Sequence, residues 1–245
     1  MTESIDNPPT SKDDTQPQNL PDLRAQLTVG SEKVQLKAIQ ELSRFGEEGL
    51  AVLMDFLLKR WQSSSVNFVD GIAYQTLLKA DDPEVVKFLH NNFPVGVVAL
   101  HSERGLDYKP LQKRLAEQQF QAADQLTRQI MCQLAGSAAA QRQWLYFTEV
   151  DSFPITDLQT INRLWLVHSE GQFGFSVQRQ IWLSAGKDWE AFWPRIGWKT
   201  NNSWTRYPQE FTWNLSAPRG HLPLSNQLRG VRVIASLLSH PAWSC

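Results

Sequence analysis

Apolar residues recur at helical spacing through most of this 245-residue chain. From Leu20 to about Asn91 they mark short amphipathic helices. Ser31 stands as N-cap to a segment with apolar residues at 34, 36, 39, 42 and 45, which Gly46 stops. A second helix is expected over about Glu47–Trp61 and a third over Ile72–Lys79. A fourth opens at Asp82-Pro83, a capping residue with proline in the first turn, and ends near Phe93-Pro94. Helices of this size on short turns predict an antiparallel bundle or a solenoid fragment, and no repeated motif chooses between them.

Residues 95–106 read as a linker, and the helical pattern then resumes. Helices are expected over Tyr108–Glu117, Phe120–Leu134 (closed by Gly136), Asp157–His168 and Gly174–Ser184, with a short one over Asp188–Ile196. Residues 197–224 carry Pro208, Pro218 and Pro223 and predict an ordered loop. A last helix spans Asn226–Ser239 and stops at His240-Pro241. No segment alternates with period two for long enough to predict a strand, so the fold class is all-α. The division expected is a disordered, Pro- and Asp-rich tail at 1–19, a helical bundle at 20–94, the linker, and a second domain at 107–245.

Eight tryptophans fall between Trp144 and Trp213, interleaved with Phe147, Phe173 and Phe175 among other phenylalanines. That density suggests a surface or cavity built to cover something broad, flat and apolar. The formal net charge of −1 gives no reason to expect a nucleic-acid partner. The first 99 residues nevertheless carry a net −5 and the remainder +4, and 11 of the 15 basic residues in that remainder are arginine. Arginine favours forked recognition of carboxylate or phosphate.

Two cysteines cannot build a disulfide framework, and a reducing compartment is the expectation. The first residues have no apolar core, which speaks against a secretory signal, and no apolar run approaches membrane-spanning length. The five histidines show no metal-ligand spacing, and there is no phosphate-binding loop or nucleophile elbow. A non-enzyme without a protein-bound metal is expected.

Two loops and one helix carry the remaining chemistry. Gly171–Ser176 sets Phe173 and Phe175 beside two glycines at a helix start, and Gly220–Leu224 brings His221 and Leu222 to the last helix. On that helix Asn226, Arg229 and Arg232 follow at intervals of three, a slanted polar row suited to an anion with two carboxylates, or else a solvated face.

Several segments resemble the genomes-uncoupled-four family. They are Phe173–Gln178, Ile196-Gly197-Trp198, Trp204-Thr205-Arg206, Ala217–Pro223 and Asn226–Arg232, with Phe120–Asp124 and Asp157–Ile161 upstream. The resemblance spans about Tyr108–Trp243, and the N-terminal helices look like the extra bundle of the family's cyanobacterial-type members. It implies an all-helical cupped hand whose apolar palm takes a porphyrin. It further implies a non-catalytic protein that binds protoporphyrin IX and magnesium-protoporphyrin IX. Such a protein stimulates magnesium chelatase in chlorophyll biosynthesis through the chelatase's large porphyrin-binding subunit. By the same resemblance Phe147, Phe173 and Phe175 meet the ring, and Arg229 and Arg232 meet the propionates. Asn226 offers an oxygen to a porphyrin-bound magnesium. Arg206 and Tyr207 form the rim, where relatives commonly carry tryptophan in place of Tyr207, and His221 and Leu222 complete the site. A monomer in the cytoplasm, with room for peripheral association at photosynthetic membranes, is the corresponding expectation. The competing reading is a helical interaction scaffold with no small-molecule ligand.

Overall fold

The structure, a computed structural model, describes residues 19–63, 66–225 and 231–244. Apart from Asn19, the tail expected to be disordered lies outside them. In the N-terminal unit, α1 (Leu20–Val29) is capped by Asn19, whose side chain accepts from the Asp22 N–H at 3.0 Å. Helix α2 (Glu32–Leu42) buries Ala38, Ile39 and Leu42 against it, and Gln35 donates to the Leu27 carbonyl at 2.8 Å. Helix α3 (Gly46–Ser63) supplies Leu53 and Leu57 to the same core.

Helix α4 (Phe68–Lys79) begins four residues earlier than the apolar pattern predicted. The reason is its cap: Asn67 accepts from the Val69 N–H at 2.9 Å, and Asp70 accepts from the Asn67 N–H at 2.8 Å. Asp70 is also held by Arg60 at 2.6 and 3.0 Å. Helix α5 (Pro83–Asn92) starts as predicted, with the Asp82 carboxylate accepting from two first-turn amides.

The linker is fastened rather than loose. Gln112 of α6 (Lys109–Ala116) bonds the Val95 carbonyl and both backbone groups of Val98. Asp157 of α10 (Ile155–His168) accepts from Ser102 Oγ at 2.5 Å, the Glu103 N–H at 2.9 Å and the Tyr108 hydroxyl at 2.7 Å. Helix α7 (Phe120–Ala135) ends at Gly136 as expected, with φ at +106°. Two short helices, α8 (Ser137–Arg142) and α9 (Phe147–Val150), precede α10 and were not foreseen. Helices α11 (Phe175–Ser184) and α12 (Trp189–Arg195) follow α10. The expectation of no strand is corrected by a two-residue hairpin, β1 (Lys199–Thr200) with β2 (Ser203–Trp204), too short to leave a periodic signature. Among the described residues the last helix, α13, covers Arg232–Ser239, and a 3-10 turn (Pro241–Trp243) closes the chain.

The tryptophans are also corrected in part. Trp182, Trp189, Trp193 and Trp198 stack in one column, with successive centroids 5.0, 5.2 and 5.7 Å apart. Trp165 and Trp198 are wholly buried. Much of the indole surface therefore builds the core between α11, α12 and the loop after it, and only some is left for a ligand.

The two halves meet along α4 and α10. A Cβ on Gly71 would lie 2.0 Å from the Val167 carbonyl oxygen, so the two helix backbones touch there. Gln75 donates to the His168 carbonyl at 3.1 Å, and Tyr74 lies against the His168 ring. Both His168 ring nitrogens are buried without a hydrogen-bond partner among the described residues. Burial pushes this imidazole down to about 3, so it is neutral. Gly71→Ala gains about 1 kcal/mol in helix propensity. A backbone clash that no rotamer relieves outweighs that gain, and a net loss of about 1–3 kcal/mol is expected in urea unfolding. A midpoint raised by the propensity gain would mean that the two helices can separate freely.

Candidate ligand-binding face

Beneath the candidate site lies Asp124, on the first turns of α7 and wholly buried. Its carboxylate accepts from the Leu224 N–H at 2.7 Å and so pins the chain just ahead of residues 226–230. Arg128, one turn further along α7, approaches Asp124 at 3.3 Å. Burial nevertheless dominates and pushes the Asp124 carboxyl up to about 7, against the lowering effects of Arg128 and the Leu224 amide. The asymmetry is physical: the Arg128 side chain is 41% exposed, so water screens much of its attraction.

Arg128 then carries the site outward. Its guanidinium lies 4.7 Å from the Tyr207 ring centroid and donates to the Tyr207 hydroxyl at 2.7 Å, which also accepts from Gln125 at 3.2 Å. Tyr207 packs edge-on to Trp213 at 5.8 Å and remains about two-fifths exposed. Arg206 beside it is exposed, its backbone N–H held by Glu210 at 2.8 Å.

A second aromatic and basic group comes from α8 and α9. Arg142 lies over the rings of Trp144 (4.8 Å) and Tyr146 (4.4 Å) and pairs with Glu149, which also accepts from the Tyr146 N–H. Cys132 of α7 is buried. Burial raises its thiol above the ordinary range. Next along the chain, Phe147 is 39% exposed and lies 5.5 Å from the Arg232 guanidinium. Ser236 of α13 donates to the Phe147 carbonyl at 3.1 Å and to Asp151 at 2.6 Å, which fixes α9 against α13. Phe147, Asp151, Arg232 and Ser236 line an open cavity of about 670 Å³.

The structure thus brings Phe147 and Arg232 together and leaves Tyr207 and Arg206 accessible. Asn226 and Arg229 lie outside the described residues. The side chains of four other candidate residues are interior. Phe173 is fully buried against Phe120 and Trp165, and Phe175 is fully buried near Trp243. His221 bonds the Ile196 carbonyl through Nδ1 at 2.6 Å and accepts from the Thr212 N–H through Nε2 at 3.3 Å, which assigns the proton to Nδ1. Burial lowers its pKa, so it is a neutral staple of the loop. Leu222 is buried while its carbonyl accepts from the Gly174 N–H at 3.0 Å. Glycine-flanked phenylalanines read the same whether the glycines let a ligand or another loop approach, and here it is another loop. Arg128, Arg142 and Tyr146, which the sequence reading did not single out, also stand on this face, and the Arg142-Gln143-Trp144-Leu145-Tyr146 alternation could have pointed to the last two.

The chain matches the GUN4-like family over residues 101–241, and residues 11–94 match the ARM-like repeat domain described as GUN4-N terminal. A Ycf53-like protein of Synechocystis sp. (strain ATCC 27184 / PCC 6803 / Kazusa) is 53% identical over 226 residues, covering 92% of this chain and 97% of the relative. The tetrapyrrole-binding protein, chloroplastic, of Arabidopsis thaliana is 41% identical over 143 residues, covering 55% of this chain and 54% of that protein. The structure of GUN4 from Chlamydomonas reinhardtii aligns with TM-score 0.57 and 39% identity, over 60% of this chain and 95% of that one. The ligand-free Arabidopsis thaliana GUN4 structure aligns with TM-score 0.54 and 40% identity, over 58% of this chain and all of that one. These similarities and the helical core define a GUN4-type fold. The chain belongs to the GUN4-like family and is a homologue of the cyanobacterial type.

Asp124 gives a signed pH dependence. Its folded pKa is raised, so the native state holds the proton more tightly than the unfolded chain. Its contribution to stability therefore falls as pH rises from about 4 to about 7. His168, whose folded pKa is depressed, works oppositely: stability is lost as pH falls from about 6.5 towards 3. Asp124→Asn keeps an acceptor for the Leu224 amide and should remove only the first slope, so its urea midpoint rises more steeply from pH 4 to 7 than that of the wild type. Parallel curves would place the Asp124 titration elsewhere.

Proposed function

We propose that this chain binds tetrapyrroles, in particular protoporphyrin IX and magnesium-protoporphyrin IX, and stimulates magnesium chelatase without catalysing a reaction itself. The observation that carries the proposal is the pairing of an exposed Phe147 ring with the Arg232 guanidinium at the mouth of an open cavity. A porphyrin is a flat apolar disc with two propionates on one edge, and that pair offers one group for each part. Covering one face of the disc removes roughly 200–300 Å² from water, about 5–8 kcal/mol gross. Association and ordering costs take back much of this, which suits a carrier that must release its cargo.

In this reading Phe147 meets the ring, Arg232 and Arg229 meet the propionates, and Asn226 offers an oxygen to a porphyrin-bound magnesium. Arg206 and Tyr207 form the rim, with Arg128 and Arg142 as further cations already stacked on aromatic faces. Phe173, Phe175, His221 and Leu222 support the site from within, since their burial withholds them from a ligand. The name of the Arabidopsis relative, a tetrapyrrole-binding protein, supports the ligand class, and the location proposed is the cytoplasm with peripheral association at photosynthetic membranes. The chelatase's large porphyrin-binding subunit is the partner proposed.

Titration with protoporphyrin IX should quench tryptophan fluorescence saturably, and no quenching at tens of micromolar would leave the scaffold reading in its place. Arg232→Ala should weaken the dicarboxylate porphyrin by about tenfold, as expected for a lost charge-assisted hydrogen bond, and its uncharged diester much less. Phe147→Ala should weaken acid and ester alike. Chelatase turnover with and without the chain, across substrate concentrations, checks the stimulation.

A further inference from the structure

A second cavity, of about 520 Å³, opens between α10, α11, the fastened linker and the terminal 3-10 turn. Its volume lies in the range of small-molecule sites. Arg163 of α10 and Arg179 of α11 both line it, together with His101, Asn162, Gln180 and Trp243, and among the described residues no carboxylate side chain does. Neither arginine forms an ion pair among the described residues. Arg60 and Arg142, by contrast, are paired with acids.

The donors are also held in place. Arg179 donates through Nε to the Leu238 carbonyl at 3.1 Å, which fixes the fork. Asn162 accepts from the Ser176 N–H at 2.9 Å through Oδ1, so its amide nitrogen remains as a donor. The Gln180 oxygen accepts from Arg219 at 2.8 Å, which likewise leaves its nitrogen. The acid Glu103 reaches the rim only through Thr156, whose hydroxyl donates to it at 2.5 Å. A half-open hollow with two guanidiniums, oriented amides and one indole wall suits an oxyanion on a small organic frame.

We propose that this cavity is a binding site for a small molecule bearing a carboxylate or phosphate group, separate from the face of Phe147 and Arg232. The site is independent of the tetrapyrrole reading.

Calorimetric titration of the full chain with inorganic pyrophosphate and with succinate, and 1,4-butanediol as the uncharged control, tests it. Saturable binding of either anion with a dissociation constant below about 1 mM is expected, and the responding probe tells phosphate from carboxylate. Arg163→Gln, at an exposed position that folding tolerates, should weaken that binding at least about fivefold, with Arg163→Lys recovering part of it. Arg163→Gln/Arg179→Gln should weaken it further, with a thermal melt to establish folding. Protoporphyrin titration of Arg163→Gln should match the wild type. Binding of neither anion, equal binding of the diol, or binding unmoved by Arg163→Gln overturns the site. A loss of porphyrin affinity in Arg163→Gln overturns its separateness.

Discussion

The linker, α7 and the start of α11 are located by polar groups that α10 carries into the interior. A buried donor or acceptor left unpaired costs about 1–3 kcal/mol, so each such group enforces its partner's position. Asp157 collects Ser102, Glu103 and Tyr108 and so folds the linker down. Thr160 donates to the His101 carbonyl, the Trp165 indole donates to Thr127 of α7, and Asn162 accepts from the start of α11. The apolar residues between these groups supply the burial, but burial alone would permit many registers. The polar contacts select one.

The same economy explains what could be read from the sequence and what could not. Helix ends marked by a side-chain cap or a left-handed glycine, such as Asp82, Gly136 and Asp188, were legible because the signal is local. Helix α4 began early because its cap, Asn67 with Asp70, lies outside the apolar run that marked it. Helices α8 and α9 are too short to show a period, and the hairpin at 199–204 is shorter still. At the candidate site, Phe147, Arg232 and Tyr207 were singled out through family resemblance, and the structure leaves Phe147 and Tyr207 accessible with Arg232 beside Phe147. The interior fate of Phe173 and Phe175 was not legible, since the rings that cover them, Phe120 and Trp243, lie more than fifty residues away along the chain.

Electrostatically, the candidate face is unusual in where its cations rest. Arg128, Arg142 and Arg232 lie on the rings of Tyr207, of Trp144 and Tyr146, and of Phe147. A cation on an aromatic face is stabilised by only about 0.5–2 kcal/mol. An arriving carboxylate offers more, so Arg232, which has no acid partner among the described residues, can turn to an acidic ligand at less cost than Arg128 and Arg142, which also hold Tyr207 and Glu149. The Phe147 ring it uncovers is then available to the apolar part of the same molecule.

The backbone contact at Gly71 bears on how the two halves could ever be separated. A truncation that began at the linker would strip the lid from Val167 and admit solvent to the His168 imidazole, which would regain its ordinary basicity. A stand-alone core would need a wettable residue in place of that histidine and a side chain to cover the bared helix. The N-terminal helices are therefore structurally a plug for the core rather than a tethered appendage.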